Sequence, residues 1–197
     1  MKKFFPALRY INVPNIITTI GLVFVISACF YVAEKDLRAV LISLFFAVSM
    51  DLLDGFFANK LNQKTRFGQQ LDSLTDFFSC CVLPVLILLA FLGNSLLVIA
   101  ASIFYCTCGM WRLAFYNISP AKKHDYFIGL PVPGGMMFAM MGVWSVVMYG
   151  LPEWVCIAAY FAVGLLMISG IRLPKYALWQ KVLILLGLAS MVVVILS

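Results

Sequence analysis

The chain has 197 residues, of which 64% are hydrophobic and 11% charged, with a net charge of +6 and a mean hydropathy of +1.04. A soluble domain carries about 45–50% apolar and about 25% charged residues, and a chain of this size cannot bury such an excess inside one globule. That excludes a soluble enzyme, a disordered tail and a nucleic-acid module; the basic residues instead set topology and meet anionic lipid.

In chain order, residues 1–12 set Phe4, Phe5, Leu8 and Ile11 among Lys2, Lys3 and Arg9. That pattern predicts a helix lying flat in the interface. No short apolar core precedes a small-residue cleavage site there, so no signal peptide is expected. Seven apolar segments then approach the ~20 residues needed to cross a bilayer: 16–33, 39–58, 71–92, 96–115, 133–151, 154–171 and 178–196. Short polar connections join them. The expectation is an all-α integral membrane protein, a bundle of six to seven transmembrane helices with an N-terminal interfacial helix, forming a single domain over 1–197. The Gly- and Met-rich segment 133–151 is a candidate for a broken or tilted span. The six cysteines all sit in apolar runs and read as small buried hydrophobes. With the N-terminus in the cytoplasm, only Lys35 and Arg38 of the 14 Lys and Arg residues fall outside, a strong positive-inside bias.

Asp51, Asp54, Asp72 and Asp76 are half of the eight acidic residues, and all lie within or at the ends of apolar spans. An aspartate at the centre of a membrane helix costs about 2.5–3.5 kcal/mol on insertion scales, so something must neutralise them. Asp51 and Asp54 are spaced i,i+3 and Asp72 and Asp76 i,i+4, so each pair shares one helix face. Counting inward from the loop that carries Lys60, Lys64 and Arg66 gives two matched depths, roughly 9 and 15 Å. Two carboxylate pairs therefore face each other just beneath a basic loop. Close carboxylates cannot all ionise unaided. Two divalent cations would balance them, and oxygen-only ligands point to Mg²⁺ or Mn²⁺. Such a cluster at the membrane edge suits a pyrophosphate whose other end is lipid. Simple pairing with Lys60, Lys64 and Arg66 is the plainer alternative, but Asp51 and Asp76 lie too deep for it. Gly55, Ala58 and Gly68 frame the cluster; Gly55 and Ala58 would let a flat base or ribose approach the helix backbone, or serve close helix packing. A divalent-cation transporter would need acidic groups continuing across the membrane. The outer half offers only the surface residues Glu34, Asp36 and Glu153.

Together, Asp51-x-x-Asp54-Gly55-x-x-Ala58 and Gly68-x-x-x-Asp72-x-x-x-Asp76 resemble the signature of the CDP-alcohol phosphotransferases. Further segments resemble the bacterial phosphatidylserine synthase branch: Pro14-Asn15-Ile16-Ile17-Thr18, Leu71 to Asp76, Arg112-Leu113-Ala114, Phe127 to Pro133 and Met167 to Arg172. The resemblance implies transfer of a phosphatidyl group from CDP-diacylglycerol to the hydroxyl of L-serine, releasing CMP, in a multi-pass protein of the cell membrane. The active site would face the cytoplasm, and the protein would form a homodimer. It implies two ions, Mg²⁺ or Mn²⁺, held by Asp51, Asp54, Asp72 and Asp76, with Asp76 taking the proton of the acceptor. It implies a CDP site built from Asn15, Thr18, Gly55, Ala58, Lys60, Lys64, Arg66 and Gly68. The acceptor carboxylate would meet Arg112, with Asn117, Lys122 and Arg172 as further candidates. Two positions depart from the pattern: Asn59 and Phe115 each stand where arginine is usual. The same chemistry with inositol phosphate or glycerol phosphate as acceptor, or with an archaeal-type lipid donor, remains the alternative.

Overall fold

The first helix starts where a cap and a proline meet. The Asn12 side chain accepts the Asn15 N–H at 2.9 Å, and Pro14 occupies the first turn of α1 (Val13–Ala33), where no backbone donor is needed. Asp36 caps α2 (Leu37–Lys60) by accepting from the Ala39 N–H. Thr65 does the same for α3 (Arg66–Leu92) through the Gly68 N–H. Then come α4 (Leu96–Ile118), α5 (Val132–Tyr149) and α6 (Glu153–Ile168). The computed structural model describes residues 6–118 and 126–174, so the apolar segment 178–196 and Lys122 lie outside the described residues.

Helices α1 to α5 are each long and apolar enough to cross a membrane, and α6 is a shorter apolar helix. The chain is an all-α, multi-pass membrane bundle. Segment 133–151 is one unbroken helix rather than a broken one. Of the expected interfacial helix, the described part is a single 3-10 turn, Pro6–Tyr10, exposed throughout. Tyr10 stacks on Phe67 at the start of α3, with centroids 4.6 Å apart and rings nearly parallel.

Helix α6 stops earlier than its apolar run. Ser169 turns extended, and the backbone beyond is taken up by the turn before α5. The Leu130 N–H donates to Leu166 O at 2.9 Å and the Gly129 N–H to Ile171 O at 2.7 Å. A short antiparallel ribbon continues the pairing, β1 (Tyr126–Ile128) with β2 (Arg172–Pro174), Phe127 opposite Leu173. Because β1 follows α4 and β2 follows α6, this pairing puts the ends of both helices on one face of the bundle.

Helix α3 is central, touching α1, α4 and α5, while α2 packs mainly on α1. The interior holds Leu83, Ile87, Leu88, Tyr105 and Tyr160, all fully buried. The outside carries Val23, Phe30, Ile103, Trp111 and Leu165, all exposed, as expected where the solvent is lipid. Inside such a solvent every backbone polar group needs an internal partner.

Candidate active site

The four aspartates lie toward the face where α1, α3 and α5 begin and α2, α4 and α6 end. One carboxylate oxygen from each of Asp51, Asp54 and Asp72 lies within 4.8 Å of the other two. Asp76, one turn deeper on α3, is within electrostatic reach of all three. Asp54 is the most enclosed, 7% exposed, and the Thr18 hydroxyl of α1 donates to its carboxylate. The cluster brings side chains of α2 against those of α3.

This donor set fits a hard divalent cation. Mg²⁺ and Ca²⁺ bind carboxylate oxygens at about 2.0–2.6 Å, so ligand oxygens on opposite sides of one ion stand about 4–5 Å apart. Asp51, Asp54 and Asp72 meet that spacing, and a cation there would offset the repulsion of their clustered charges. Identity and number of ions are separate questions.

The flank of α2 beside the cluster is open. A Cβ at Gly55 would meet nothing within 4 Å, whereas one at Gly68 would stand 2.7 Å from Asn15 Oδ1. Gly55 therefore leaves room for a ligand, and Gly68 lets α1 and α3 close on each other. Asn15 is buried and holds the N-terminal approach by donating its amide to Tyr10 O at 2.7 Å. Ala58 is half-buried one turn from Gly55. Asn59 folds its amide back onto Gly55 O, 2.8 Å away. Lys60, Lys64 and Arg66 are exposed around the rim, with Lys60 Nζ 5.5 Å above the Phe56 ring.

Each described acceptor candidate has partners of its own. Asn117 is turned toward α3, where its amide donates to Ser73 Oγ at 2.9 Å and accepts from Gln69 Nε2 at 2.9 Å. Arg112 is 5% exposed and turned toward the loop before α5. Its Nε donates to Leu130 O at 3.2 Å and its Nη2 to Gly129 O at 3.5 Å, with the guanidinium 5.6 Å from the Tyr116 ring. It lines a pocket of about 220 Å³ together with Trp111, Phe115, Ile128, Met167 and Ser169, among others. Arg172 is exposed on β2, 5.2 Å over the Tyr126 ring. Lys122 is outside the described residues.

The sequence gives no direct sign of Gln69, three residues before Asp72, or of Ser73, directly after it, which tie α3 to Asn117. Their spacing at i,i+4 on the aspartate-bearing helix was the available signal.

Comparison with known proteins decides the family. A family model described as CDP-alcohol phosphatidyltransferase matches residues 11–193. The chain belongs to that family. A relative from Methanocaldococcus jannaschii named CDP-diacylglycerol–serine O-phosphatidyltransferase is 36% identical over 133 residues, covering 68% of this chain and 62% of that protein. One of the same name from Mycobacterium tuberculosis is 28% identical over 174 residues, covering 82% of this chain and 60% of its own length. A relative from Aquifex aeolicus named CDP-diacylglycerol–glycerol-3-phosphate 3-phosphatidyltransferase is 37% identical over 105 residues, 47% of this chain and 59% of that one. The matches thus span less than two thirds of each of these relatives. Within the matched family region lie Asp51, Asp54, Asp72 and Asp76.

Proposed function

We propose that the chain, as one catalytic domain, transfers the phosphatidyl group of CDP-diacylglycerol to the hydroxyl of L-serine and releases CMP. The observation that carries this reading is the close grouping of Asp51, Asp54 and Asp72 at the membrane edge, with Asp76 beside it and an open flank at Gly55. The names of several relatives favour serine.

In this reading Asp51, Asp54, Asp72 and Asp76 would hold two Mg²⁺ or Mn²⁺ ions, whose charge would screen the pyrophosphate and favour departure of the nucleotide phosphate. Thr18 orients Asp54 through its hydroxyl bond. Gly55 and Ala58 admit the ribose and base against the α2 backbone, and Asn15 with Gly68 fixes the opposite wall. Lys60, Lys64 and Arg66 draw the anionic donor to the rim. Asp76 accepts the proton of the serine hydroxyl as its oxygen bonds to phosphorus and the bond from phosphorus to CMP breaks. Arg112, held by two backbone carbonyls, offers its remaining N–H groups to the serine carboxylate. Asn117, Lys122 and Arg172 are the secondary acceptor contacts. The enzyme would act as a homodimer in the cell membrane, its site facing the cytoplasm.

The test is CMP release from CDP-diacylglycerol by protein in lipid vesicles, with labelled serine and labelled glycerol 3-phosphate as parallel acceptors. Serine should enter lipid, chelation should stop it, and Mg²⁺ or Mn²⁺ should restore it. Asp72→Asn should abolish turnover by removing a ligand charge. Asp76→Asn should slow turnover by about 10²–10⁴-fold, the range for a lost general base, while donor binding persists. Full activity in excess chelator overturns the metal reading. Labelling by glycerol 3-phosphate alone, the acceptor in the Aquifex relative's name, overturns serine.

A further inference from the structure

Just beyond Asp76, α3 leaves regular α-geometry. Its first part, Arg66–Phe77, gives way to a π-turn, Phe78–Val82, in which the Leu83 N–H reaches Phe78 O five residues back, before Leu83–Leu92 resumes. Pro84 follows and has no N–H to return to Cys80, the carbonyl four residues earlier. In the membrane interior no water fills that gap.

Side chains of other helices fill it. The Tyr105 hydroxyl of α4 donates to Cys80 O at 2.8 Å, the Cys106 thiol faces Cys81 O at 3.4 Å, and the Tyr160 hydroxyl of α6 donates to Pro84 O at 2.7 Å. Both tyrosines are wholly buried, their rings 4.9 Å apart. Apolar packing alone would be served as well by phenylalanine, because a buried hydroxyl is unfavourable without a partner. Here both hydroxyls are spent on the break in α3. The upper part of α3 is pinned elsewhere, at Gly68 by Asn15 and at Ser73 by Asn117. Asp76 is the aspartate nearest the break, four residues before Cys80, and Ser79 Oγ donates to its carbonyl at 3.4 Å.

We propose that Tyr105 and Tyr160 are positioning residues: by holding the Cys80 and Pro84 carbonyls they fix the bend of α3, and through it the place of Asp76 against Asp51, Asp54 and Asp72. This rests on the reading of that cluster as the catalytic centre. Removing the Tyr105 hydroxyl leaves the Cys80 carbonyl without a donor, removing the Tyr160 hydroxyl takes away the tie between Pro84 O and α6, and either change lets Asp76 drift.

The variants are Tyr105→Phe and Tyr160→Phe, singly and together, with Tyr149→Phe as an exposed control, all in phosphatidylcholine–phosphatidylglycerol vesicles. The measurements are kcat and donor KM for CMP release, Mn²⁺ affinity by electron paramagnetic resonance, and hydrogen exchange over residues 77–85. Either single change should lower kcat about tenfold and the double change more. Donor KM should stay within about threefold, Mn²⁺ affinity should fall less than kcat because Asp51, Asp54 and Asp72 still hold an ion, and amides 77–85 should exchange faster. Wild-type kcat and exchange in both single variants overturns the proposal. So does a loss of kcat matched by equal losses of Mn²⁺ affinity, donor binding and thermal stability, which marks a merely structural role. A wild-type protein that binds Mn²⁺ but releases no CMP would sink the functional reading alone, and the exchange data would still decide the clamp.

Discussion

At position 68 the backbone of α3 lies against the side-chain amide of Asn15, and only a hydrogen fits between them: a Cβ would sit 2.7 Å from Asn15 Oδ1 and 3.2 Å from Thr65 Oγ1. Asn15 cannot step aside at no cost, since its other amide atom holds Tyr10 O. Gly68→Ala should therefore push α1 away from α3 just above Asp72. Overpacking of this kind costs about 1–3 kcal/mol, which corresponds to roughly 5–100-fold in an equilibrium. The expected outcome is a rise of about tenfold in the donor KM with the protein still inserted. Gly55→Ala, on the open flank, gives the contrast: its methyl meets no protein atom, so any effect on donor KM must come from the ligand itself. A Gly68→Ala variant with unchanged KM would show that Asn15 moves freely and does not shape the donor site.

The turn that links β1 to α5 is held by backbone bonds to the chain beyond α6. Gly129 has φ +74, and a Cβ there would run into Met167 O and lie 2.9 Å from Ser169 O. Strain at such a backbone position costs about 1–3 kcal/mol, before the collision is counted. Gly129→Ala should lower the melting temperature in detergent and disturb Arg112, whose guanidinium bonds the Gly129 and Leu130 carbonyls. A variant that melts like the parent would mean that the turn is loosely held. The elements themselves were legible in the sequence, because a membrane span needs only length and apolarity, and the described helices follow the expected spans to within a few residues. The aspartates were legible for the complementary reason, charge where charge is costly. What the sequence hid were partners that are backbone atoms. Arg112 reads as a free cation, yet it serves carbonyls 17 and 18 residues on. Tyr105 and Tyr160 carry no sequence mark of their own, yet their hydroxyls bond backbone carbonyls of α3. Pro84 was the one available clue, since a proline inside a span announces a carbonyl in need of a donor.

On the scale of the whole molecule, three independent contacts put the same helix ends together: Asn15 with Gly68, Asn117 with Ser73, and β1 with β2. Asp51, Asp54, Asp72 and Asp76 lie toward that face, and so do Arg9, Lys60, Lys64, Arg66, Arg112 and Arg172. Among the described residues the opposite face carries only Lys35 and Arg38 as basic groups, with Glu34, Asp36 and Glu153 beside them. Basic residues in short loops stay on the cytoplasmic side, so the carboxylate face should be cytoplasmic. That is also where a nucleotide-activated lipid would have to present its soluble half. The check is labelling of intact cells by a membrane-impermeant maleimide. Single cysteines at Glu34→Cys, Asn94→Cys and Leu151→Cys lie in the three connections of the opposite face and should react from outside. Leu61→Cys, in the connection between α2 and α3, should react only after permeabilisation. The native cysteines are half-buried or buried within the spans and should give little background. Reaction of Leu61→Cys in intact cells, with Asn94→Cys silent, would invert the protein and place the carboxylates on the side away from the nucleotide.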